Sequence, residues 1–84
     1  MVPLADLSPG QMGLVRDLRG GRTFVGRLAA LGFTPGTLLR VVRNYGWGPM
    51  IVLVRGTQVA LGRREAQHVL VHRAEGKNDA SFIK

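Results

Sequence analysis

The spacing of apolar residues changes along the chain, and each change marks an element. Phe24, Leu28 and Leu31 fall at i, i+4 and i+7, which is one face of a helix, and they predict a short helix over 22–31. Gly32 stands where a helix takes a left-handed residue just past its end, and Phe33 is placed to fold back on the last helical turn. Thr34-Pro35-Gly36-Thr37 fits a type II turn, in which proline presets φ and glycine takes φ > 0. Ser8-Pro9-Gly10-Gln11 repeats that chemistry, and each turn precedes an apolar stretch, so each is expected to launch a strand. The stretches that follow the two turns do not align, which makes this a reused turn and no duplicated domain.

The rest of the pattern reads as strands. The segment 11–18 offers Met12, Leu14, Val15 and Leu18 to a core without clean alternation, and Gly20-Gly21 ends it and opens the helix. The helix cap is weak, since only Gly21 or Thr23 is available, and a helix this short has to be held by packing. Residues 38–44 are β-branched and almost continuously apolar, broken by Arg40 and Arg43. Tyr45-Gly46-Trp47-Gly48-Pro49 is a loop. Residues 50–55 form the clearest strand, and Arg55-Gly56 is the turn pair of a tight hairpin into 58–61. The segment 62–67 has room for a single helical turn, and 68–72 is a last strand with Val69 and Val71 inward. Leu4 and Leu7 are placed to pin the lead-in to the core. The expected fold is therefore mainly β: a small antiparallel barrel of about five strands, with one short helix inserted after the first. Closure would remove the exposed edges of strands this apolar. A single domain over 1–73 is followed by a polar tail, 74–84, expected to be loose, in which Phe82 and Ile83 are able to dock on a neighbouring surface.

Composition narrows the chemistry. With 84 residues and no cysteine, there is one modest core and no disulfide or thiolate metal site. No run of apolar residues reaches the roughly 20 needed to cross a bilayer, and the first residues lack the pattern of a signal peptide; a soluble, cytoplasmic protein with no direct membrane insertion is expected. The formal charge is +7, and ten of the twelve cations are arginine. That balance favours an anionic partner: nucleic acid, anionic lipid or an acidic protein face. No pair among Asp6, Asp17, Glu65, Glu75 and Asp79 is spaced for acid–base work, and no nucleophile elbow or phosphate-binding loop is present. No enzyme activity and no cofactor are expected. His68 and His72, read on a strand, point to one side but sit roughly 13 Å apart at about 3.3 Å per residue, too far to share a metal; they read as surface imidazoles, and no metal site is expected.

In this order, Leu7-x-x-Gly10, Gly13-x-Val15, Gly20-Gly21 and Arg27-Leu28-x-x-Leu31-Gly32-Phe33-x-Pro35-Gly36 resemble the ferrous-iron transport protein A (FeoA) family. The later run Pro49-Met50-Ile51-Val52-x-Val54-x-Gly56-x-x-Val59-Ala60-Leu61-Gly62-Arg63-Arg64-Glu65-Ala66 resembles it too. The similarity covers residues 4 to about 72; Tyr45-Gly46-Trp47 is more aromatic than the family's loop, and the last dozen residues find no counterpart. The resemblance implies an SH3-like β-barrel. It implies a small cytosolic accessory that binds and supports or regulates the membrane ferrous-iron transporter FeoB, through that transporter's cytosolic GTP-binding part. The same barrel resembles the last domain of metal-dependent repressors of the diphtheria-toxin-repressor type. That leaves an isolated repressor domain, or a free-standing basic barrel that binds nucleic acid, as the alternatives.

The contact surface is expected at the helix, its stop and the adjoining hairpin loop, with Arg27, Leu28, Leu31, Gly32, Tyr45, Trp47, Arg63 and Arg64 as candidates. Each has a plainer reading. Leu28 and Leu31 suit the core, Trp47 suits the closing of one end of it, and the arginines suit a solvated face in which Glu65 pairs with Arg63 or Arg64. Against that, exposed aromatics line the peptide grooves of SH3 domains, tryptophan is a favoured interface anchor, and a basic face steers a protein toward an acidic one.

Overall fold

The computed structural model describes residues 1–74. Six antiparallel strands form one sheet in the order β1-β6-β2-β3-β4-β5: β1 Val2–Pro3, β2 Met12–Leu18, β3 Leu38–Arg43, β4 Met50–Val54, β5 Thr57–Leu61 and β6 Val69–Ala74. A 3₁₀ turn, Leu4–Asp6, follows β1; helix α1, Arg22–Ala30, follows β2; and helix α2, Arg63–Gln67, precedes β6. The mainly β fold with a helix inserted after the first long strand matches the expectation from the pattern. The sixth strand, β1, does not appear in that pattern, because it is only two residues long and pairs Val2 with Val71 and Pro3 with Leu70.

The edges differ from the expected closure. β1 and β5 lie at opposite ends of the strand order and do not pair. The first edge is blunted by its length and by Pro3, which has no N–H to offer. Ala74, placed in the tail by the sequence reading, lies in β6 and pairs with Met12. Residues 75–84, including Phe82 and Ile83, lie outside the described residues.

The irregular alternation of the first long strand has a cause. Its register against β6 slips between Val15 and Asp17, so Arg16 is a β-bulge that shifts the inward parity by one. Gly13 and Val15 face the core before the bulge, and Leu18 packs against it afterwards. A second slip between Val41 and Arg43 on β3 acts likewise. The core is built from Leu4, Leu7, Val15, Leu28, Phe33, Leu39, Val41, Met50, Val52, Val54, Leu61, Ala66, Val69 and Val71. Leu4 and Leu7 are both fully buried, as expected.

The two Pro-Gly turns form as read. Gln11 N–H donates to the Ser8 carbonyl at 3.0 Å with Gly10 at φ 89°, and Thr37 N–H donates to the Thr34 carbonyl at 3.0 Å with Gly36 at φ 92°. The β4–β5 hairpin turns through Arg55 and Gly56 at φ 51° and 77°, the doubly positive pair that a right-twisted two-residue hairpin requires.

Candidate functional site

Among the described residues no acid–base pair or metal cluster appears: there is no group of three or more His, Asp and Glu that could hold an ion. Two of the three acids are committed to arginines. Asp17 accepts from Arg19 Nε at 2.9 Å and from the Leu18 amide at 2.9 Å; the Arg19 hydrogen bond holds its pKa below the ordinary 3.8. Glu65 pairs with Arg27 across 38 positions of sequence, and not with Arg63 or Arg64 as the sequence suggested. The reason is local: Glu65 sits in the first turn of α2, where its Oε1 accepts the Gly62 N–H at 3.0 Å, and its other oxygen points to α1. His68 is not on the last strand either. It caps the end of α2, its Nδ1 lies 2.8 Å from the Arg64 carbonyl, and its ring meets Phe24 edge-on at 5.4 Å. His72 is exposed on β6.

Two exposed regions remain. The first is at the end of α1. Phe33 N–H donates to the Leu28 carbonyl and Gly32 N–H to the Ala29 carbonyl, each at 3.0 Å, with Gly32 at φ 107°. This is the Schellman stop, and it drives Phe33 into the core beside Leu28, both 0% exposed. Leu28 is therefore buried and its side chain is held in the core, while Gly32, buried as well, borders the groove beside it through its backbone. Leu31, at the C-cap, stays 44% exposed. It lines a groove of about 560 Å³ with Ala29, Ala30, Gly32, Thr34, Val54, Arg55, Thr57 and Val59. Arg55 borders it, donating to the Thr34 and Thr37 hydroxyls at 3.3 and 3.4 Å. Arg27, one turn before Leu31, lies over the Phe24 ring at 5.7 Å and holds Glu65.

The second region is the β3–β4 loop. Tyr45 and Trp47 are 66% and 74% exposed, and their rings stack at 6.0 Å with 28° between planes. Trp47 does not close the core. Asn44 anchors the loop: its Nδ2 donates to the Ala5 and Leu7 carbonyls at 2.9 and 2.7 Å, and its Oδ1 accepts from the Gly46 amide at 3.1 Å and from Arg63 Nη1 at 2.6 Å. Arg63 is thus tied to the loop, while Arg64 is exposed on α2. Sequence reasoning missed Asn44, because its partners lie 37 and 39 positions away. It also missed Leu38 and Leu53, 47% and 38% exposed, which line a shallower groove with Met12, Arg40 and Arg55. The unbroken apolar run Met50–Val54 was the available signal, since an alternating strand with so few polar positions has apolar residues on both faces.

A small SH3-like barrel with no catalytic constellation among its described residues, carrying an apolar groove and an exposed aromatic loop, has the features of a binding module. The FeoA domain family matches residues 2–73, and the chain belongs to that family. It is 35% identical over 81 residues to a protein of Methanocaldococcus jannaschii provisionally named Fe(2+) transport protein A, covering 94% of this chain and 98% of that one. A crystal structure of an iron uptake regulatory protein (FeoA) is 34% identical, with TM-score 0.83, covering 87% of this chain and 97% of that chain. A zinc-complexed FeoA of Stenotrophomonas maltophilia, described as an SH3 domain protein, is 31% identical with TM-score 0.71, covering 86% and 91%. The FeoA family serves ferrous-iron transport as accessory proteins and is no enzyme family.

Proposed function

We propose that this protein is a cytosolic accessory of ferrous-iron uptake that acts by binding the membrane transporter FeoB at the transporter's cytosolic part. The observation that carries the reading is the FeoA match over 2–73; the relatives it resembles are covered over 98% and 97% of their own length, which favours this reading over a repressor's domain. The contact surface is the groove at the end of α1, with Leu31 as its apolar anchor, Arg55 on its rim and Arg27 one turn away on the helix. A half-exposed leucine between a helix end and a hairpin is able to enter a complementary apolar site, and the rim charges orient the approach.

Calorimetric titration of the protein into purified full-length FeoB in detergent tests this, with a DNA duplex as control. Binding is expected to survive physiological salt, to fall at least about tenfold in Leu31→Gln, the size of a lost interface anchor, and to be absent with DNA. Unchanged binding by a folded Leu31→Gln removes the groove from the reading. Salt-sensitive binding to DNA alone makes the charge a nucleic-acid signal and overturns the accessory role.

A further inference from the structure

We propose that the β3–β4 loop is a membrane-surface contact, in which Trp47 and Tyr45 enter the headgroup region of an anionic lipid leaflet and Arg43 and Arg63 bind its phosphates. Nothing in this chain's described residues covers the two rings, which are 74% and 66% exposed. A Cβ built on Gly46 or Gly48 meets nothing within 4 Å, so the space beside both glycines is open. Its base is nevertheless fixed, through the four hydrogen bonds of Asn44. An aromatic pair held out on an anchored loop has the amphipathic character that places Trp and Tyr at membrane interfaces, with an apolar ring buried and an N–H or O–H left in the polar layer.

Charge complementarity selects the lipid. Arg43 is exposed at the end of β3, and Arg63 reaches the loop through Asn44. Neither forms an ion pair among the described residues, where the two pairs use Arg19 and Arg27. The acids nearby are Asp6, exposed in the turn that Asn44 clamps, and Glu65, which is held by Arg27. The whole chain is +7, so its long-range field also draws it to an anionic surface. Single-stranded nucleic acid, whose bases also stack on exposed aromatic rings, is the competing partner, and the titration with single-stranded DNA separates the two. The surface is distinct from the Leu31 groove, so the proposal stands or falls without the transporter.

Trp47 is the sole tryptophan, so its fluorescence reports the loop directly. The full chain is mixed with vesicles of phosphatidylcholine alone, with vesicles of phosphatidylcholine and phosphatidylglycerol in equal parts, and with single-stranded DNA. A blue shift on the anionic vesicles, with partitioning at least about tenfold above that for neutral ones, is expected, along with weakening as salt rises. Arg43→Gln should lower partitioning about fivefold, and Tyr45→Ser should lower it while leaving Trp47 as reporter. Trp47→Ser, followed by co-sedimentation, should lose the binding with the fold intact. No shift on any vesicle, equal partitioning into both, or indifference to all three substitutions overturns the proposal. So does a shift with DNA and none with vesicles.

Discussion

Two demands meet at Gly32. At φ 107° it lies where side chains are strained, and a Cβ there would come within 3.2 Å of Arg55 Cδ and 3.5 Å of Val54 Cγ2. Gly32→Ala should therefore lower the unfolding free energy by about 1–2 kcal/mol, the usual penalty for a left-handed non-glycine residue. The expected signature in denaturant is a lower midpoint with an unchanged slope. An unaltered midpoint would mean that the stop relaxes into another C-cap. The glycine and the fold-back of Phe33 were legible because helix stops use local chemistry. Leu31 reads both as core and as a contact candidate, because the i, i+4, i+7 stripe puts all three apolar residues on one face. The helix buries the middle residue of that stripe, Leu28, and leaves Phe24 half-buried and Leu31, at the C-cap, exposed. Leu28 is a poor probe of binding for the same reason, since truncating a buried leucine costs about 2–5 kcal/mol and disturbs the fold first.

Among elements, the β3–β4 loop depends on a single side chain. Asn44 uses both amide hydrogens on the Ala5 and Leu7 carbonyls, within and just after the 3₁₀ turn, and its oxygen on Gly46 and Arg63. It thereby ties the lead-in, the loop and α2 together. Asn44→Ala leaves the part-buried Ala5 and Leu7 carbonyls without that donor, and should destabilise by about 1–3 kcal/mol. Trp47 should also become more mobile, read as a fall in fluorescence anisotropy. Asn44→Asp separates the two roles. It can still accept from Gly46 and Arg63, but it presents a carboxylate to the two carbonyls, and should be no better than alanine if donation is what matters. Strands β2 to β6 were readable because periodicity and turn residues are local. β1, the Arg27–Glu65 pair and the Asn44 clamp were not, because each is defined by a partner across the fold. The bulge at Arg16 lies between these cases: the broken alternation was visible, and its cause needed the register against β6.

For the molecule as a whole, charge is distributed unevenly between signs. Ten arginines and three acids lie within residues 1–74, and two ion pairs join them. Both pairs involve arginines with about 60% of the side chain exposed (61% and 59%), and exposed pairs of this kind contribute little. The unpaired arginines repel one another over the surface of a small barrel, so the folded state carries a self-repulsion that the expanded chain largely escapes. Added salt shortens the screening distance to about 10 Å at 0.1 M and should relieve that repulsion more than it weakens the two pairs. The melting temperature is therefore expected to rise by a few degrees, equivalent to about 0.5–1 kcal/mol for a domain this size, when sodium chloride is increased from about 0.02 M to about 0.3 M. A fall instead would mean that the Arg27–Glu65 and Arg19–Asp17 pairs outweigh the net charge. The same screening should weaken the loop's attraction to an anionic leaflet and leave an apolar contact through Leu31 nearly unchanged. One salt series thus stabilises the fold, loosens one proposed surface and spares the other, three responses that a single electrostatic cause predicts together.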